Sequence, residues 1–141
     1  MTTDVEKMLR DYYEVWNSHD VERITSFLAD EFLYEDVPAG VAHRNKDEFK
    51  ASWRDFFAAC PDFRVEWKTL FVAGDWAGGE WVMSGTQTGD WPILPATGKS
   101  VTLRGAAIIE LKDGRIKRNA DYWDMLSLMQ QLGVMPEMPS G

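Results

Sequence analysis

Asp121 is the side chain with the clearest claim to chemistry. It sits in the apolar-polar segment Arg115 to Asp124. A carboxyl group held among aromatic side chains is disfavoured as an anion, so its pKa rises toward the range useful for a general acid or base near neutrality. Strand parity puts Lys117, Asn119, Asp121 and Trp123 on one face and Ile116, Arg118, Ala120, Tyr122 and Asp124 on the other. Both faces mix polar and aromatic residues. Periodicity therefore leaves two readings open: Asp121 faces a packed interior, or it is a solvent-side partner of Arg104 or Arg118.

Other reactive side chains are few. The chain has two histidines and one cysteine, Cys60. An intrachain disulfide framework is impossible, and there is little material for a transition-metal site, so no metal and no cofactor are expected. His19 falls in the polar break Asn17 to Asp20, where a turn or capping role is expected. His43 lies just ahead of a predicted helix and titrates near neutrality. Seven Trp are unusual for this length. Trp is bulky and seldom fully buried, so several are expected to line a cavity.

The elements that must position these groups follow from spacing. Thr3 and Glu6 form a capping box for a helix with Val5, Met8, Leu9, Tyr12 and Trp16 on one face. Asp20 caps a second helix carrying Val21, Ile24, Phe27 and Leu28. Glu31 to Asp36 reads as a short strand, broken by Pro38 and Gly40. Asn45 and Glu48 open a third helix with Phe49, Trp53, Phe56 and Phe57 on one stripe, ended by Cys60-Pro61. Alternation then predicts strands through Phe63 to Trp67, Gly79 to Gln87, Val101 to Leu111 and Arg115 to Asp124. Ala73-Gly74-Asp75 reads as a turn, and Lys112-Asp113-Gly114 as a hairpin turn. Met125 to Leu132 is a short apolar helix stopped by Gly133, and 135–141 a loose tail. Helices followed by an antiparallel meander indicate one α+β domain over 1–141, with helices on one face of the sheet.

Composition bounds the function. Apolar residues make up 45% and aromatics 13%, enough for a real core. The net charge of −8 argues against nucleic acid and anionic membrane surfaces as partners. The N-terminus lacks the basic and apolar regions of a secretory signal, so a cytoplasmic location is expected.

Several motifs carry a resemblance. Tyr12 to Asp20, Phe27 to Asp30 and Tyr34-Glu35-Asp36 are similar to the opening of the nuclear transport factor 2-like superfamily. His43 to Asp47, Pro95 to Lys99, Asp121 to Asp124 and Leu126 to Met135 more specifically resemble its SnoaL-like polyketide cyclases. The resemblance implies a cone-shaped fold, a curved antiparallel sheet wrapped by N-terminal helices, with a pocket between the layers. It implies that Asp121 faces inward and acts as the acid/base of an intramolecular aldol closure. Limonene epoxide hydrolase has a similar carboxylate segment, but its partner Asp and Arg are missing near Thr86, Gln87 and Thr88. Ketosteroid isomerase matches Tyr12 and Asp36. Its second oxyanion-hole group, like the assisting His of the cyclases, would fall near Ala107, which offers no hydrogen bond.

The resemblance thus implies Asp121, Asp36, Tyr12 and His43 as catalytic candidates. Trp16, Tyr34, Trp53, Phe57 and Trp81 become candidates for the substrate wall. Met83, Gln87, Trp91 and Trp123 complete it. The expected function is a cofactor-free cyclase, isomerase or dehydratase acting on a small hydrophobic, cyclic or ketone-bearing molecule. The alternative is a non-catalytic binding protein with the same pocket. A homodimer through the outer sheet face, with Arg104, Glu110 and Tyr122, is the further expectation.

Overall fold

A computed structural model describes residues 4–91 and 94–134. The first helix, α1, spans Asp4–Val15 and runs into a 3₁₀ turn, Trp16–Ser18. Thr3 of the expected capping box lies outside the described residues, as does the expected tail. Helix α2 is Val21–Thr25, and its cap is Asp20, whose carboxylate accepts from the backbone N–H of Glu22 and Arg23. Helix α3 is Lys46–Ala59, capped by Asn45 through the Glu48 N–H. The last helix, α4, is Met125–Gln131, capped by Asp124, with Gly133 in the left-handed region at φ 73° just beyond it.

The strands are β1 (Leu28–Asp36), β2 (Val41–His43), β3 (Arg64–Trp67), β4 (Phe71–Ala73), β5 (Trp76–Thr86), β6 (Ser100–Lys112) and β7 (Arg115–Trp123). Three differ from expectation. Leu28 belongs to β1 and not to the second helix, because α2 ends after barely more than a turn. Pro38 and Gly40 do not simply break the chain; they turn it back into β2, which pairs antiparallel with β1. Phe71–Ala73 forms its own short strand against β5.

The sheet order is β2-β1-β7-β6-β5-β3, with β4 also on β5. The meander β5-β6-β7 is antiparallel as expected. The β1–β7 pair is parallel, so the sheet is mixed. That pairing seats Tyr34 beside Asn119 and Asp36 beside Asp121.

The helices cover one face. Asn17 ties the 3₁₀ turn to β3 by a two-way bond with the Val65 backbone, 2.7 and 3.0 Å. His19 also holds this corner: its Nε2 lies 2.8 Å from the Phe63 carbonyl and its ring stacks on Phe57. At the other end, the Gln131 amide bonds both the N–H and C=O of Thr102, fixing α4 against β6. Between helices and sheet lies a core of Leu9, Tyr12, Ile24, Phe49, Ile109 and Ile116, all fully buried.

Candidate functional site

The direction of Asp121 is decided by one irregularity in β7. Glu110 pairs with Arg118, but Leu111 pairs with Ile116, so Lys117 is an extra residue in the ladder. Such a bulge shifts side-chain alternation by one position. Ile116 therefore joins Asn119, Asp121 and Trp123 on the inner face, and Lys117 is exposed. The solvent-side reading of Asp121 fails on its partners as well. Arg118 pairs with Glu35 at 2.9 Å, and Arg104 lies 3.6 Å from Glu80.

Asp121 looks into a cavity of about 180 Å³ between helices and sheet. Its wall is mostly apolar. Trp16, Trp53 and Phe56 come from the helical side, and Trp81, Met83 and Leu103 from the sheet. Leu128 and Leu132 close one end from α4. Trp16 and Trp53 meet edge to face at 4.6 Å, a favoured aromatic geometry. Gly105 makes room for Trp81: a Cβ there would overlap the indole, which lies flat across the neighbouring strand.

The polar groups converge on β7. Tyr34 Oη donates to Asp121 Oδ2 at 2.5 Å. Burial pushes the Asp121 carboxyl up to about 6, and the charge of Asp36 adds to this. The Tyr34 hydrogen bond and the nearby Asn119 amide and Trp81 indole act in the opposite sense. Tyr34 itself is held far above the usual phenol range, first by burial and then by the charge of Asp121, so it stays protonated and can donate. Asp36 is raised by burial, while the Trp123 indole N–H at 2.8 Å and the Ala39 N–H favour its ionised form.

Of the catalytic candidates, Asp121, Asp36 and His43 line this one cavity. His43 pairs with Tyr34 across the β1–β2 hairpin, its ring parallel to the phenol at 6.4 Å and its Nδ1 3.9 Å from Glu48. Tyr12 does not line the cavity. It is fully buried behind it, and its hydroxyl is directed to Asn119 Oδ1 at 3.1 Å. Trp16, Tyr34, Trp53, Trp81, Met83, Gln87, Trp91 and Trp123 are on the wall, but Phe57 is not, because its ring is spent on His19. Gln87 reaches the cavity with its amide already engaged: Nε2 donates to the carbonyls of Leu94 and Pro95, and Oε1 accepts from Thr97. It anchors the 94–97 segment.

Among the lining residues that sequence reasoning missed, two carry hydrogen bonds behind Asp121. Tyr13 and Asn119 both border the cavity, and Tyr13 Oη also donates to Asn119 Oδ1, at 3.4 Å. Asn119 could have been found from its place two residues before Asp121 on the same face. Ala107, where the resemblance implied an assisting group, is the direct strand partner of Asp121. Among the described residues, no group of three or more His, Cys, Asp or Glu side chains could hold a metal ion, and no helix is long and apolar enough to cross a membrane.

Comparison with known proteins identifies the family and the fold. The profile of the SnoaL-like polyketide cyclase family matches residues 6–132. The chain is 24% identical to the aklanonic acid methyl ester cyclase DnrD of Streptomyces peucetius, covering 100% of this chain and 98% of that protein. Its fold is similar to that of AclR from Streptomyces galilaeus, with a TM-score of 0.82 at 18% identity over 99% of this chain and 91% of the other. It is also similar to TsrD from Streptomyces laurentii, with a TM-score of 0.80 at 24% identity over 93% and 96%.

Proposed function

The chain belongs to the SnoaL-like polyketide cyclase family, and from that premise we propose that it is a cofactor-free acid/base enzyme. Its reaction is an intramolecular aldol closure, or the related isomerisation or dehydration, of a small hydrophobic, ketone-bearing molecule. The carrying observation is the Asp121 carboxyl, raised to about 6, in an aromatic cavity with Tyr34 Oη at 2.5 Å.

In this reading the Asp121 carboxylate takes a proton from a carbon next to a substrate carbonyl. The resulting enolate attacks a second carbonyl carbon of the same molecule. The alkoxide so formed receives the proton back from Asp121, so the step needs no co-reactant. A base of this pKa is ionised at neutral pH and still passes its proton on readily. Tyr34 keeps the carboxylate oriented. Asp36, held by Trp123, lies beside it, and His43 lies on the same wall, where each would orient the substrate.

The test is turnover of aklanonic acid methyl ester, the compound named for the relative, and of simpler aromatic diketones. Asp121→Asn is expected to abolish cyclisation while leaving the circular dichroism spectrum unchanged. A fully active Asn variant overturns the assignment.

One observation favours a second reading, a binding protein without chemistry: the strand partner of Asp121 is Ala107, which cannot assist a proton transfer. Recovery of a bound diketone unchanged after prolonged incubation would support it. The outer sheet face, with Trp76, Ile108 and Tyr122 exposed, is the surface through which two copies would pair. Sedimentation that finds a monomer at micromolar concentration removes that part of the proposal.

A further inference from the structure

The floor of the cavity holds a polar side chain that the acid/base reading does not use. Asn119 is 2% exposed and borders the cavity next to Asp121. Its Oδ1 accepts from two phenols, Tyr12 Oη and Tyr13 Oη. Burial holds both phenols well above their usual pKa, so both protons are available for that oxygen. Its Nδ2 is buried and makes no close hydrogen bond among the described residues, although it lies near enough to the Asp121 carboxylate to favour its charged form. The reverse amide flip would turn Oδ1 toward the Asp121 carboxylate, acceptor against acceptor, which is unfavourable. Two tyrosines thus lock the amide with its donor end toward the Asp121 carboxylate, which lines the cavity.

The geometry points to Asn119 Nδ2 as the donor that binds a substrate oxygen, a ketone carbonyl or the enolate formed from it, beside Asp121. This rests on the acid/base reading and names the substrate group that the site selects. A buried donor without a partner is unfavourable, and a ligand carrying an acceptor relieves that cost, whereas a hydrocarbon of the same shape cannot. The donor also sits where negative charge would grow as Asp121 removes a proton, which is the placement electrostatic stabilisation needs. It stands on the same strand as Asp121, two residues away, on the far side of that residue from Trp123. Ala107, opposite Asp121, contributes no such group.

The test uses two bicyclic probes of nearly equal shape, 1-tetralone, which only accepts hydrogen bonds, and tetralin, which has no polar atom. Binding is followed by tryptophan fluorescence for the full chain and for Asn119→Leu. The ketone is expected to weaken by about tenfold in the variant while tetralin is unchanged or tighter. In the unaltered protein, the Asn119 side-chain amide proton is expected to move downfield in the nitrogen-15 spectrum with 1-tetralone and not with tetralin. This second readout stands even if Asn119→Leu fails to fold. Equal amide shifts with both probes, an unchanged ketone-to-tetralin ratio, or no binding of either probe at millimolar concentration each overturns the inference. None of these readouts involves turnover. Loss of the acid/base reading, seen as an active Asp121→Asn variant, is therefore distinguishable from loss of this one.

Discussion

Asp121 and Asp36 are the same residue type, facing each other as strand partners on β7 and β1 and lining one cavity. Both are raised by burial, and yet their surroundings differ. Asp121 is pushed to about 6 and is held by a phenol that stays protonated and donates to it. Asp36 is held by an indole N–H and a backbone N–H, both fixed donors that favour a charged, anchored carboxylate. Two like residues in one pocket are thus raised to different degrees by burial, against partners that in both cases favour the charged form, the pattern expected where one is to exchange protons and the other to hold position.

The largest expected difference is in turnover. Asp121→Asn should lower kcat/KM on the order of 10³-fold, against about tenfold for Asp36→Asn. Steady-state kinetics on a diketone substrate decide it, and equal losses break the contrast.

Stability comes next. The folded-state pKa of Asp121 lies above its unfolded value, so the folded form binds more protons between about pH 4 and 6 and loses stability as pH rises through that window. Asp121→Asn should therefore stabilise the fold above pH 6, by up to about 3 kcal/mol, and give no gain below pH 4. Asp36→Asn should show the same sign with a smaller gain. Urea unfolding at pH 7.5 and pH 4 measures both; a destabilised Asp121→Asn at pH 7.5 contradicts the assigned environment.

The smallest effect separates the two holders. Tyr34→Phe removes a bond that favours the ionised form, so the Asp121 midpoint should rise by about one pH unit. Trp123→Phe should do the same for Asp36 and leave Asp121 in place. Carboxyl carbon-13 titration reads each midpoint, and cross-over between the two variants would mean that the pair titrates as one unit.

Much of this arrangement was legible in the chain. Asp20 and Asn45 mark helix starts by side-chain chemistry that acts within three residues, and Gly114 marks its hairpin for the same local reason. The inward direction of Asp121 was not legible from alternation, because the extra residue Lys117 resets the count midway along β7. A bulge depends on how the partner strand registers, which no window of sequence contains. Tyr12 was placed one layer too far forward. Its helical stripe faces the core correctly, but only the position of Asn119 shows that a second polar side chain stands between it and the cavity. Gln87 lies on the cavity wall as expected, but the engagement of its amide was not legible, because the loop that takes it up folds back from ten residues further on. Local chemistry is written in the sequence, and the occupancy of a polar group by a distant partner is not.

The parallel union of β1 and β7 has a kinetic side. It joins Tyr34 to Asp121 across 87 residues with the whole meander between them. Contacts of such long sequence separation close late, since their loop entropy must be met before they give anything back. A nascent chain that has left the ribosome through β6 carries the segments of three helices and six strands, but neither Asp121 nor the strand that joins β1 to the rest of the sheet. The cavity floor arrives with the last strand, so the proposed acid/base group joins the site only after the segments that supply most of its aromatic walls have been made.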